Sequence, residues 1–402
     1  MSEAMVGADI AWIMACSAMV LLMTPGLAFF YGGLVGRKNA SGTIMHSLMA
    51  IGVVGVIWVL WGYSLAFAPG SAFVGGLDFF ALAGVSAEDG GGTIPDQLFM
   101  IFQAMFAIIT PALITGAFAE RMKFSSYVIF IALWVTLVYA PVCHWVWASD
   151  GFLFGMGALD FAGGTVVHIN SGVAALAAAI IFRKRIGFGS DAGTPHNVPM
   201  VVLGAGLLWF GWFGFNAGSA LAANGTAVNA FVVTNTAAAA ALVTWVAITW
   251  IFGKKASVTG AATGAVAGLV AITPAAGFVG AMPALIIGFG AGVICYSAIV
   301  LLAKLKIDDA LAVFGVHGMG GAWGALATGL FVGWGYGALG DISRVEQIGI
   351  QLIAIGVTIA YSFVVTSVIL LAIKFTLKLE VSEEEERAGL DVSQHGEEAY
   401  MS

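Results

Sequence analysis

Charge is what this chain most conspicuously lacks. Lysine, arginine, aspartate and glutamate make up 9% of its 402 residues, while 60% are apolar. A soluble domain carries about 25% charged residues, so a fold solvated by water on all sides is excluded. Short stretches of alternating polar and apolar residues are absent too, which excludes a membrane barrel and leaves helices as the spanning structure. The three cysteines, Cys16, Cys143 and Cys295, lie inside apolar runs and show no pairing pattern. They read as small buried hydrophobes, not as a disulfide framework or a metal cluster. No cluster of basic residues with interleaved aromatics is found, so nothing suggests nucleic acid as a partner. No basic residue precedes the first apolar run. That is unlike a secretory leader and suits a first helix whose N-terminus faces outward.

The net charge of −7 is local: residues 380–402 hold eight acidic side chains and one basic one. The acidity describes a hydrophilic tail and says nothing about the apolar body. Residues 1–379 are expected to form a membrane domain, and 380–402 an acidic cytoplasmic tail. Within it, Glu383–Glu386 reads as a solvated charge run.

What the chain does have is long apolar runs. A spanning helix needs about 20 mostly apolar residues. Breaking the sequence at basic residues and at Gly/Pro/Asp clusters leaves eleven runs: 9–35, 43–68, 97–118, 125–147, 163–182, 198–220, 227–252, 258–275, 278–303, 311–335 and 347–376. Alternate connections carry Arg37 and Lys38, Arg121 and Lys123, Arg183 to Arg185, Lys254 and Lys255, Lys304 and Lys306, then Lys374 and Lys378. The other set holds only Arg344. Positive charge marks the cytoplasmic side, so the N-terminus is expected outside and the C-terminus inside. The fold class expected is an all-α polytopic membrane protein of eleven transmembrane helices. Five runs precede Asp191 and five follow Pro195; five is odd, so the second set enters from the opposite side as an inverted repeat, and the eleventh helix is peripheral.

Against that background ionisable residues inside the apolar runs are functional candidates. His46 and His144 fall near run ends, where water is available, and read as structural. His168 and His317 fall mid-helix in runs five and ten, equivalent positions of the two halves, and share a His-x-x-x-Gly spacing. A metal site needs three or four ligands, and no third one lies at matching depth. No nucleophile with a base and an oxyanion arrangement is seen, so an enzyme is not expected. Two neutral imidazoles can share one proton between facing nitrogens and offer the others to a passing solute.

Aromatics supply the second clue. Phe106, Trp147 and Phe215, with Ser219, fall toward the outer ends of runs three, four and six. An interfacial belt accounts for Trp145 and Trp250. Rings that face an entrance beside a hydroxyl instead make a cation–π site worth roughly 0.5 to 2 kcal/mol. Asp160 is either a cation ligand or the cap of the helix opening at Gly163, and Asp-x-x-Gly-Gly-Thr favours the cap.

Taken together, Asp160-Phe-Ala-Gly-Gly-Thr-Val-Val-His168 through Arg185, Gly211-Trp-Phe-Gly-Phe-Asn-Ala-Gly-Ser219, Phe314-Gly-Val-His317-Gly318 and Gly389-Leu-Asp-Val-Ser-Gln-His-Gly-Glu-Glu-Ala-Tyr400 resemble the ammonium transporter family of bacteria, archaea and plants. The resemblance runs over essentially the whole chain. It implies a homotrimer in the cell (inner) membrane, with one pore per subunit for ammonium or ammonia and no cofactor. It further implies that Phe106, Trp147 and Ser219 form an outer recruitment site with Trp212 nearby, and that Phe106 and Phe215 stack as a gate. His168 and His317 would be twin pore histidines, and Asp160 the carboxylate supporting the outer site. The tail, with Gly389, Asp391, His395, Glu397 and Tyr400, would couple subunits and present part of a surface for a PII-type signal protein. The expected activity is uptake of ammonium as NH3 with a separately relayed proton. A sensor acting through the tail and a passive gas channel of the Rh-like kind are the alternatives.

Overall fold

A computed structural model describes residues 5–189 and 194–400; Asp191, used above as a boundary between halves, lies outside them. The chain is mostly helical, and its long helices follow the apolar runs because a backbone in hydrocarbon must satisfy its own hydrogen bonds. They are α1 (Gly7–Leu34), α2 (Arg37–Phe67), α3 (Asp96–Ile114), α4 (Phe124–Gly155), α5 (Gly164–Ile181), α6 (Val198–Gly218), α7 (Gly225–Gly253), α8 (Val258–Ala275) and α9 (Ala281–Lys304). After these come α10 (Met319–Phe331), entered through a wide turn at Phe314–Gly318, and α11 (Arg344–Leu377). Ten of the helical stretches among the described residues are long and apolar enough to cross a membrane. The tenth run is the one that falls short, because glycines, a histidine and a tryptophan dilute its apolar character. β-structure among the described residues is limited to a two-residue hairpin, β1 (Gly70–Ser71) with β2 (Val74–Gly75), in the α2–α3 excursion, and an isolated bridge from Met122 to Glu380.

The outer surface is unlike that of a soluble protein. Val56, Val228, Phe252, Val345 and Phe375 are all more than half exposed, as side chains facing lipid are. Inside, helices are held by polar clasps that cost little because both partners are satisfied. Trp134 donates to Thr366, Ser362 to the Asn170 carbonyl, and Gln351 to the carbonyls of Leu159 and Ala325. These bonds strap α11 across α4, α5 and α10.

Two expectations need correction here. His46 and His144 are not at watery helix ends; both are buried. His46 is enclosed by the rings of Phe118, Phe124 and Tyr127. His144 spans two carbonyls, Ala66 at 3.0 Å and Ser71 at 2.8 Å, pinning the hairpin excursion to α4. Nor is Glu383–Glu386 merely a solvated run. It opens a short helix, α12 (Glu383–Ala388), with Ser382 and Glu385 in a reciprocal capping box. Glu386 is buried, paired with Arg183 and accepting the Ile186 amide at 2.7 Å. The helical register turns this one glutamate toward basic loop residues, which repay its desolvation.

The rest of the tail is docked on the same face. Asp391 accepts the amides of Ser41 and Gly42 at the start of α2, Leu390 donates to Asn39, and His395 packs edge-on to Phe124 at 4.8 Å. Gly389 meets the Lys38 backbone at a φ of 102°. The Glu397 amide bonds the Asp391 carbonyl. Tyr400 reaches His196 at 3.0 Å and Asn197 at 3.2 Å, under the guanidinium of Arg37.

Candidate functional site

The centre of the molecule is built from one device used twice. Asp160 lies eight residues before His168, and Asp309 eight before His317; the two histidines are 149 residues apart. Asp160 accepts the amides of Gly163, Gly164, Thr165 and Val166 and the Thr165 hydroxyl. Asp309 accepts those of Val313 and Phe314 at 3.0 and 2.8 Å. Each carboxylate satisfies amides that a helix start leaves free. Each helix begins after a left-handed residue, Gly163 at φ 115° and Ala312 at φ 61°. Both then run through a π-helical turn, Gly164–Ile169 and Phe314–Gly318, rather than presenting their histidines mid-helix. Wide turns of this kind are frequent at functional sites.

The two turns pack against each other's helices. A Cβ on Gly172 would lie 2.1 Å from the Gly318 amide, and one on Gly321 2.9 Å from the Gly164 carbonyl oxygen. That backbone approach brings the imidazoles together, Nδ1 to Nδ1 at 3.3 Å. Both rings are buried, and His168 Nε2 has no partner within the protein. A facing Nδ1 pair shares a single proton, which fixes each Nε2 in a defined role toward anything beside it.

Above the pair are the aromatics. The Phe215 ring lies 6.1 Å from His168 and 4.2 Å from Phe106, which meets Trp147 edge-on at 5.8 Å. Phe106, Trp147 and Ser219 line a cavity of about 130 Å³ with Phe99, Phe102, Gln103, Phe161 and Leu221. The Ser219 hydroxyl donates to the Phe215 carbonyl, and the Trp147 indole to the Asp160 carbonyl. Asp160 therefore touches this cavity's wall through its backbone, while its carboxylate is spent on the helix start. Trp212, expected beside the recruitment residues, does not line the cavity. It stacks on His168 at 5.5 Å and donates to Thr273. With His317, Tyr31 and Leu113 it lines a second, narrow cavity of about 10 Å³. Cavity, the Phe106 and Phe215 rings tilted by 37° to each other, histidine pair and narrow cavity thus follow one another.

Sequence reading missed Asp309, although the repeated eight-residue spacing would have found it, and it missed Gln103, for which no pattern pointed. It also missed the buried ion network behind the second turn. Asp308 is held by Arg185 at 2.9 Å and Arg121 at 3.1 Å, and Arg185 reaches Glu120 at 3.1 Å. Burial pushes the Asp308 carboxyl up, but the bonds and charges of Arg185 and Arg121 outweigh it and leave it below the usual carboxylate range. Among the described residues no group of three or more His, Cys, Asp or Glu is placed to hold a metal ion.

The chain as a whole has known counterparts. Residues 11–400 match the model of the Ammonium Transporter Family. An ammonium transporter of Bacillus subtilis is 49% identical over 98% of both chains, and Ammonium transporter Amt1 of Archaeoglobus fulgidus is 48% identical over 98% of this chain and 99% of its own. The crystal structure of Candida albicans Mep2 covers 95% of this chain and 88% of its own, at 39% identity and a TM-score of 0.89. A protein described as a sensor Amt protein covers 96% and 98%, at 32% identity and a TM-score of 0.91. By sequence and by helical architecture, this chain belongs to the ammonium transporter family.

Proposed function

We propose that the chain is a transmembrane ammonium transporter. The observation that carries the reading is the buried His168–His317 pair, 3.3 Å apart, with a narrow cavity against His317 and the Phe106–Phe215 rings between His168 and the larger cavity. Moving an intact cation into so dry a place costs several kcal/mol even after relaxation. Neutral ammonia escapes most of that cost.

In this reading NH4+ gathers in the outer cavity, against the faces of Phe106 and Trp147 and the lone pairs of Ser219. It loses its proton near the Phe106–Phe215 gate. NH3 then passes the two imidazoles, while the proton travels separately and rejoins it inside. Potassium has no proton to lose and is rejected at that step. Asp160 serves as a positioning residue, holding the turn that carries His168 and the carbonyl that fixes Trp147. No bond of an organic substrate is made or broken, so the protein is not an enzyme.

Topology follows from the distribution of basic residues: eleven spans counting α10, an inverted five-plus-five repeat with α11 outside it, N-terminus out and C-terminus in. The chain would assemble as a homotrimer in the cell (inner) membrane. Residues 1–379 form the membrane domain, and 380–402 a cytoplasmic tail that a PII-type signal protein meets.

Purified protein in liposomes, given an ammonium jump, should carry an inward current that an equal potassium jump does not evoke. The His168→Ala, His317→Ala double variant should lose the selectivity or the current; unchanged current and selectivity would falsify the reading. The likeness to a sensor protein gives one rival specific support. A pure sensor gives no current in this assay, and a passive gas channel gives flux without current.

A further inference from the structure

Building on this reading of the outer cavity, we infer that Gln103 is the second hydrogen-bond acceptor for the recruited ammonium ion and a determinant of its selectivity. Gln103 lies on α3 one turn before Phe106 and lines the same cavity as Phe106, Trp147 and Ser219. It is 8% exposed, and its side-chain carbonyl oxygen is enclosed without any hydrogen-bond donor in the protein. An enclosed amide oxygen left unpaired costs about 1–3 kcal/mol, and a native structure keeps such a group for a reason. The other polar groups at the cavity are committed. The Trp147 N–H is spent on Asp160, and the Ser219 hydroxyl hydrogen on Phe215, which leaves serine with lone pairs only.

The chemistry of the ion completes the argument. Ammonium presents four N–H donors and no lone pair, and two ring faces accept it without fixed direction. Ser219 supplies one directional acceptor. The terminal torsion of glutamine is broad, so the Gln103 amide turns to bring its oxygen to the ion. A neutral acceptor suits a cation that must later give up a proton, because a carboxylate here would hold the charge back. It also bears on which amines enter: a methyl group on nitrogen cannot point at an acceptor, so two directional acceptors leave a methylated ion fewer productive orientations than a single acceptor does.

The test uses the full chain in liposomes, with Gln103→Leu and Gln103→Glu beside wild type. Wild type must give an ammonium current; its absence would sink the transporter reading and not this one in particular. Given that current, Gln103→Leu should raise the half-saturating ammonium concentration by roughly tenfold, the worth of one hydrogen bond to a charged group. The same variant should raise that for methylammonium less, so that discrimination between the two narrows. Gln103→Glu should lower the half-saturating concentration and lower maximal current. Should the leucine variant fail to yield monodisperse protein, the glutamate variant decides alone. Half-saturation and discrimination equal to wild type in the variants that fold would overturn the inference.

Discussion

At the scale of single residues, the molecule spends its few charges on backbone. Asp160 binds four amides and one hydroxyl, and nothing in that list is a solute. Asp160→Ala strips all of them at once, while Asp160→Asn keeps one acceptor oxygen. Capping alone is worth about 0.5–2 kcal/mol, and bonds to a charged group about 1.5–3 kcal/mol each. The alanine variant should therefore lose transport and melt several degrees lower in detergent, with asparagine in between; equal melting points for all three would show the cap to be dispensable. His168 and His317 were legible in the sequence because an ionisable side chain inside an apolar run is conspicuous. Asp309 was easier to overlook, since it follows Asp308 in a polar connection and looks like ordinary loop until its eight-residue spacing to His317 is set beside that of Asp160 to His168. Gln103 was hidden for the opposite reason: an uncharged polar residue on a helix in an apolar stretch gives no signal until a cavity is found beside it.

At the scale of elements, the positions of helices were readable and their local winding was not. Hydrophobic length marked nearly every helix, and only the run around α10 falls below what length and composition demand. The π-helical turns at Gly164–Ile169 and Phe314–Gly318 arise from a carboxylate grasping the helix start and from two backbones pressed together. Neither cause has a period in the sequence. Their dependence on close approach can be measured with glycines. Gly172→Ala places a methyl 2.1 Å from the Gly318 amide, whereas Gly52→Ala meets nothing within 4 Å. The first should destabilise by about 1–3 kcal/mol and abolish current, as overpacking does. The second should leave both unchanged. A functional Gly172→Ala protein would mean the turns tolerate a wider separation than their packing suggests.

At the scale of the whole molecule, the acidic composition of residues 380–402 was plain in the sequence, but the docking seen there was not, because the partners lie more than 150 residues away in sequence. Truncation after Glu380 should lower current severalfold and leave the proposed homotrimer intact; full activity without the tail would remove the regulatory role proposed for it. Docking should also respond to pH. His395 is half-buried, and burial lowers its pKa although Asp391 and Glu397 pull the other way. The docked tail thus binds a proton less readily than a released one, whose imidazole titrates near about 6.5. Docking is at full strength above that value and weakens as pH falls through it. Limited proteolysis of the tail should be severalfold faster at pH 5.5 than at pH 7.5 in wild type, and His395→Gln should flatten that difference.

The route of this segment over the protein has a mechanical meaning. Between Glu380 and Tyr400 it fastens to Lys38 and Asn39, to Met122, to Arg183 and Ile186, and to His196. It works like a drawstring threaded through several eyelets. Ile186 adjoins Arg185, whose guanidinium grips Asp308 next to the carboxylate that starts the second histidine's helix. Loosening the segment at any one of these contacts should therefore be felt at the others, and through Arg185 and Asp308 at the start of the second histidine's helix.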